Sequence, residues 1–311
     1  MEILNKSERD LMMLGELSKL AIPHIESSKG SLELLDIDPE KHPSQLEVHV
    51  EGDPQPAAVI ESIASIAAPN FMSLVEKLNI AELENREISR IGELIKGGNN
   101  VIIATNHSNL IDIALVEAAV YCSLAKLDYQ IKTGIIISKM VAMLGYRLGN
   151  DSAPCTDVLK LLCNDIFLSF PRTESIKKSK INRLLPNEID RNNRLMLRLV
   201  RDKLNKGGML LAIAPSGSKD RRNDNNSFSM QTLKSGTIGL ISHPKTYVMP
   251  VAVWLAEEQP FIEITDIPRT MTNESDVHNM MSGIAETLSK NIVGLNFNYQ
   301  SPKNFGKIAL S

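Results

Sequence analysis

His107 and Asp112 stand five residues apart in NNVIIATNHSNLIDIALVEAA (99–119), the histidine directly after an apolar run and the aspartate at the head of the next one. A carboxylate beside an imidazole fixes its tautomer and stabilises the imidazolium, so the histidine can serve as a general base near neutral pH. Five residues close such a pair if His107 ends a strand loop and Asp112 lies in the first turn of the following helix. Asp112 would favour that helix start on dipole grounds alone as well.

A second polar loop, APSGSKDRRND (214–224), offers Ser216, Gly217 and Ser218 as backbone and hydroxyl donors and Lys219, Arg221 and Arg222 as cations. That is the donor set for a phosphate or a similar oxyanion. A third junction, FLSFPRTES (167–175), adds Arg172. A base and a cluster of cations on one rim imply a phosphorylated substrate with a proton to lose.

The elements that must position these residues repeat one local plan. ISRIGELIKGGNNVIIATNHS (88–108) and LVRDKLNKGGMLLAIAPSGS (199–218) each run from an amphipathic helix through Lys-Gly-Gly to a short apolar strand and then a polar loop. Gly97 or Gly98, and Gly207 or Gly208, suit the left-handed residue that closes a helix. The strands 101–104 and 209–214 are apolar on both faces, as expected of interior strands covered by helices. Both polar loops then lie at the carboxyl ends of their strands, where open α/β sheets place ligands.

Further strands are expected in KTGIIISKM, DIFLSF, TYVMPVAVW and FIEITDI. A helix over 187–206, entered at Pro186, places Leu195, Met196, Leu199 and Val200 on one stripe and Arg191, Arg194, Arg198 and Arg201 on the other. A last helix over about 275–292 turns Met280, Met281, Ile284 and Leu288 inward. The first 85 residues read as helical pieces, one capped at Ser7, others over 56–66 and 70–78, separated by the proline-bearing connector DIDPEKHPSQLEVHVEGDPQP. The expected fold is α/β: a mixed, largely parallel sheet covered by helices over 86–311, preceded by a smaller helical domain over 1–85.

Size and composition narrow the class. A chain of 311 residues, 43% hydrophobic and 23% charged, can bury a large core without cross-links. Its three cysteines, Cys122, Cys155 and Cys163, show no C-x-x-C spacing, so neither disulfides nor zinc are expected and a reducing compartment fits. MEILNKSERD has no signal-peptide pattern, and no apolar run reaches bilayer length: TGIIISKMVAMLG is too short, and Asp112 and Glu117 interrupt the other. The expected location is cytoplasmic or a stroma-like soluble compartment, with any membrane contact peripheral.

The net charge of −3 conceals a basic region. Residues 172–222 hold fourteen Lys or Arg against five Asp or Glu, enough to meet an anionic partner, though each charge singly could be a solvated helix face. Few aromatics and no reader motif argue against nucleic acid. No histidine pair has metal-ligand spacing on a helix face, so no metal is expected. His24, His42 and His49 fall in the helical region and its connector, His243 in a loop before a strand, and His278 in a surface turn of the last helix. APSGS is not G-x-S-x-G, which argues against a serine hydrolase.

Together these residues resemble a known family. NHSNLID is similar to the N-H-x-x-x-x-D block of glycerolipid acyltransferases, and IAPSGSKDRR to the I-A-P-S-G-G-R-D-R block of the soluble, plastid-type glycerol-3-phosphate acyltransferases. The likeness covers about residues 85–256. It implies direct acyl transfer, with no cofactor beyond the acyl thioester co-substrate and no covalent acyl-enzyme. His107 would take the proton of the sn-1 hydroxyl of glycerol 3-phosphate, Asp112 would orient the ring, and Arg172, Ser216, Lys219 and Arg221 would bind the acceptor. The donor would be acyl carrier protein or a coenzyme A thioester, met by the basic region 172–222; anionic lipid is a further candidate for that region. Two alternatives stay open: another phosphate-bearing acceptor such as lysophosphatidate, and a non-catalytic acyl-carrier- or anion-binding module. The chain departs from the family pattern at Ser218-Lys219, which replaces Gly-Arg, and a lysine lacks the arginine fork.

Overall fold

The computed structural model describes residues 47–50, 52–66, 85–107, 112–137, 159, 161–169, 186–216, 221–222, 228–230, 233, 235–254, 261–291 and 297–299. Its strands are β1 (Glu47–His49), β2 (Asn100–Thr105), β3 (Lys132–Ile137), β4 (Asp165–Leu168), β5 (Met209–Ile213), β6 (Arg221–Arg222), β7 (Phe228–Met230), β8 (Thr246–Trp254), β9 (Phe261–Ile264) and β10 (Phe297–Tyr299). Its helices are α1 (Pro56–Ile66), α2 (Asn85–Lys96), α3 (Asp112–Lys126), α4 (Pro186–Lys206), α5 (Ser235–Ile241) and α6 (Glu274–Asn291).

Seven strands form one sheet in the order β1-β4-β3-β5-β2-β8-β9. The five central strands are parallel, and β1 and β9 close the edges antiparallel. The α/β architecture with a largely parallel sheet is therefore as the sequence implies. β6, β7 and β10 form a separate three-stranded sheet.

The apolar runs explain the layering. β2 and β5 are buried along their whole length, so helices must cover both faces. The pleat divides their side chains: Val101, Ile103, Leu210 and Ala212 face a core completed by α1, α2 and α3. Ile102, Ala104, Leu211 and Ile213 face the opposite core, with Met196, Val200 and Leu204 from α4 and Met280, Met281, Ile284 and Leu288 from α6. Each fully buried aliphatic side chain contributes about 1.5–3 kcal/mol. Pro250 is accommodated inside β8 because its carbonyl accepts from the Thr265 N–H, 3.0 Å away. Its nitrogen, which has no hydrogen, therefore faces the β9 side, and the ladder to β2 loses nothing.

The two Lys-Gly-Gly turns stack at the amino-terminal end of β2 and β5. Gly98, Gly207 and Gly208 all take left-handed backbone angles, with φ of 79°, 72° and 71°. A Cβ on Gly207 would collide with the carbonyl oxygen of Gly98. The Asn100 side chain locks the same corner: its Nδ2 donates to the Leu204 carbonyl at 2.8 Å, and its Oδ1 accepts from the Met209 N–H at 3.3 Å.

Two expectations from the sequence need correction. The stretch 47–49, read as connector, is a strand of the main sheet, with Val48 paired to Ile166, and Val50 and Val59 of α1 lie buried in the α1–α3 core. Strand pairing decides this; three residues carry too little periodicity to announce themselves. His49 thus sits on an edge strand and bonds the Asp165 carboxylate at 2.8 Å, which Lys203 of α4 also meets at 3.1 Å. His278 does lie in the last helix, α6, but its side chain is only 13% exposed and sits 3.7 Å from Glu274 one turn earlier, so it is less of a surface group than expected. The helices expected around Ser7 and over 70–78 lie outside the described residues.

Candidate active site

The carboxyl ends of β2, β5, β8, β3 and β4 share one edge of the sheet, and the residues singled out by type follow from those ends. β2 delivers Asn106 and His107, which are 1% and 2% exposed although neither lies in a regular element. Asp112 is the first residue of α3 and wholly buried, as the five-residue spacing anticipates. An aspartate at a helix start meets the positive end of the helix dipole. Both groups of the suspected pair are thereby taken out of bulk water at one strand–helix junction.

Ser216 follows β5, the strand beside β2. Ala104 pairs with Ile213, the last matched pair of the two strands, and His107 and Ser216 each come three residues beyond it. Neighbouring strands run about 4.8 Å apart. Ser216 is 2% exposed. Arg221 opens β6, where it pairs with Ser229. Arg172 and Lys219 lie outside the described residues; β4, the strand that precedes Arg172, ends at the same edge.

Two buried polar groups escaped attention as chemistry, Asn106 beside His107 and Glu117 further along α3, where it meets Cys163 ahead of β4. Asn106 donates from Nδ2 to the Val253 carbonyl and accepts at Oδ1 from the Val253 N–H, both at 2.8 Å. Glu117, in the second turn of α3, is fully buried, and burial pushes its carboxyl well above the usual carboxylate range. The Cys163 thiol, 3.8 Å from Oε2, opposes that only in part. A charged residue inside an otherwise apolar helix was the available signal for Glu117.

The two described thiols, Cys122 and Cys163, do not resemble nucleophiles. Burial pushes Cys122 up to about 11, with Lys126 lowering it and Glu61 raising it further, and Cys163 is buried. A nucleophilic cysteine needs the opposite shift. Among the described residues no group of three His, Cys, Asp or Glu could hold a metal ion, and no helix is long and apolar enough to cross a membrane.

A buried imidazole and carboxylate at the mouth of a parallel sheet, with a serine loop alongside, suit proton abstraction next to a bound polar substrate. The comparisons agree with that class. Residues 82–254, more than half of the chain, match the family model described as Acyltransferase, and the chain belongs to that family. The match spans β2, His107, Asp112, Ser216 and β8, ending with the last residue of that strand. No curated protein matches the chain.

Proposed function

We propose that the protein transfers a fatty acyl group from an acyl thioester to the sn-1 hydroxyl of glycerol 3-phosphate. The observation that carries this reading is the burial of His107 and Asp112 at one strand–helix junction, with buried Ser216 just beyond the end of the neighbouring strand, inside an acyltransferase domain. His107 accepts the hydroxyl proton as the oxygen attacks the thioester carbonyl. Asp112 orients the ring and stabilises the imidazolium. The tetrahedral intermediate then expels the thiolate, which takes the proton back from His107, leaving ester and free thiol with no covalent enzyme intermediate.

Ser216, with Lys219, Arg221 and Arg172, binds the acceptor phosphate and holds the hydroxyl near the base; positioning of this kind supplies much of the rate. No metal or cofactor enters these steps. Arg191, Arg194, Arg198 and Arg201 are all exposed on α4, a face that supports docking of an anionic donor, either acyl carrier protein or the phosphates of coenzyme A. A cytoplasmic location, with at most peripheral contact to anionic membrane, fits such a reaction.

A donor-by-acceptor screen tests the assignment. Acyl carrier protein and coenzyme A thioesters are each offered with glycerol 3-phosphate, lysophosphatidate and glycerol. The reading expects glycerol 3-phosphate to be acylated far faster than glycerol. Acylation of lysophosphatidate alone would move the protein to the other acceptor, and no transfer from either donor would leave a binding module.

A further inference from the structure

β8 runs past the point where β2 ends. The last paired residue of β2, Thr105, faces Val251, so Ala252, Val253 and Trp254 continue beside a chain that has left the ladder. Val253 is fully buried, and its N–H and C=O on that side would have no backbone to meet. Both are met by the Asn106 side chain, whose amide reproduces the donor and acceptor of a peptide group across 147 residues of sequence. The residue that makes this clamp is followed directly by His107.

We infer that Asn106 is the positioning residue for His107: its amide anchors the strand end to β8 and so fixes the imidazole against Asp112 and the acceptor. The inference rests on the reading of His107 as the base. Only a primary amide of this length fits. Alanine leaves both Val253 groups unmet, glutamine is one methylene too long, and an ionised aspartate sets a carboxylate oxygen against the Val253 carbonyl. A protonated aspartate can donate to that carbonyl and accept from the N–H, so it restores the clamp.

The experiment measures kcat and KM of Asn106→Ala and Asn106→Asp per folded molecule, from pH 5.5 to 8.5, beside wild type and His107→Ala. Positioning predicts kcat lower by about 100-fold for both at pH 8, with KM for the acceptor within about threefold. For Asn106→Asp, the ratio of kcat to wild type rises as pH falls, because the carboxyl protonates; for Asn106→Ala it stays flat. Dividing by wild type removes the titration of His107 itself. Folded variants with wild-type kcat, or two flat ratios, overturn the inference, as does loss of folding in both variants at every pH, which would make Asn106 a support of the sheet only. If His107→Ala is itself fully active, the reading of the base fails first; if it is inactive while the Asn106 variants turn over normally, only the clamp fails.

Discussion

His107 and Ser216 each follow by three residues the last matched pair of two adjacent parallel strands, Ala104 and Ile213. On the proposed reading, a base beyond one strand end and a hydroxyl beyond the next address two ends of a small acceptor. Ser216→Ala should raise KM for glycerol 3-phosphate roughly tenfold, the worth of one hydrogen bond to a charged group, and leave kcat within a few-fold. Steady-state kinetics over acceptor concentration check this; an unchanged KM would place the phosphate elsewhere.

The stacked glycine turns make a prediction about stability alone. Gly98→Ala meets no atom within 4 Å and bears only its φ of 79°, so it should cost about 1–2 kcal/mol. Gly207→Ala carries a similar strain and in addition drives its Cβ into the Gly98 carbonyl, so it should cost at least 1 kcal/mol more. Urea unfolding of the two variants gives the comparison, and equal losses would show that the turns yield.

Glu117 should make stability fall with pH. Its folded-state pKa is raised by burial, so the unfolded chain releases the proton first. The contribution is fully present below about pH 4.3 and is lost as pH rises toward the folded value, at about 1.4 kcal/mol per pH unit while the two states differ by one proton. Relative to Glu117→Gln, the wild type should lose stability with that slope above pH 4.3. Parallel stability profiles for the two proteins would mean that Glu117 ionises normally in the fold.

How much of this was legible in the sequence depended on where the partners lie. β2, β5 and β8 were plain because strands buried on both faces must be apolar throughout, and α4 and α6 because one face of each is apolar at helical period. The Asp112 helix start followed from a spacing of five. β1 did not show, since Glu47–His49 is held by pairing with β4 and not by any pattern of its own. The role of Asn106 was hidden for the same reason: its partner Val253 is 147 residues away, and an asparagine before a histidine looks like a loop residue. Glu117 was visible as an interruption of an apolar run, but its burial against Cys163 needed the fold.

The central claim is that His107 carries the proton in acyl transfer. The most direct measurement is single-turnover acylation of glycerol 3-phosphate by wild type, His107→Ala and Asp112→Asn, each verified as folded by circular dichroism. The account predicts that His107→Ala loses at least about 1,000-fold in rate while still binding the acceptor, and that Asp112→Asn falls between it and wild type. A folded His107→Ala that transfers the acyl group at the wild-type rate would contradict it.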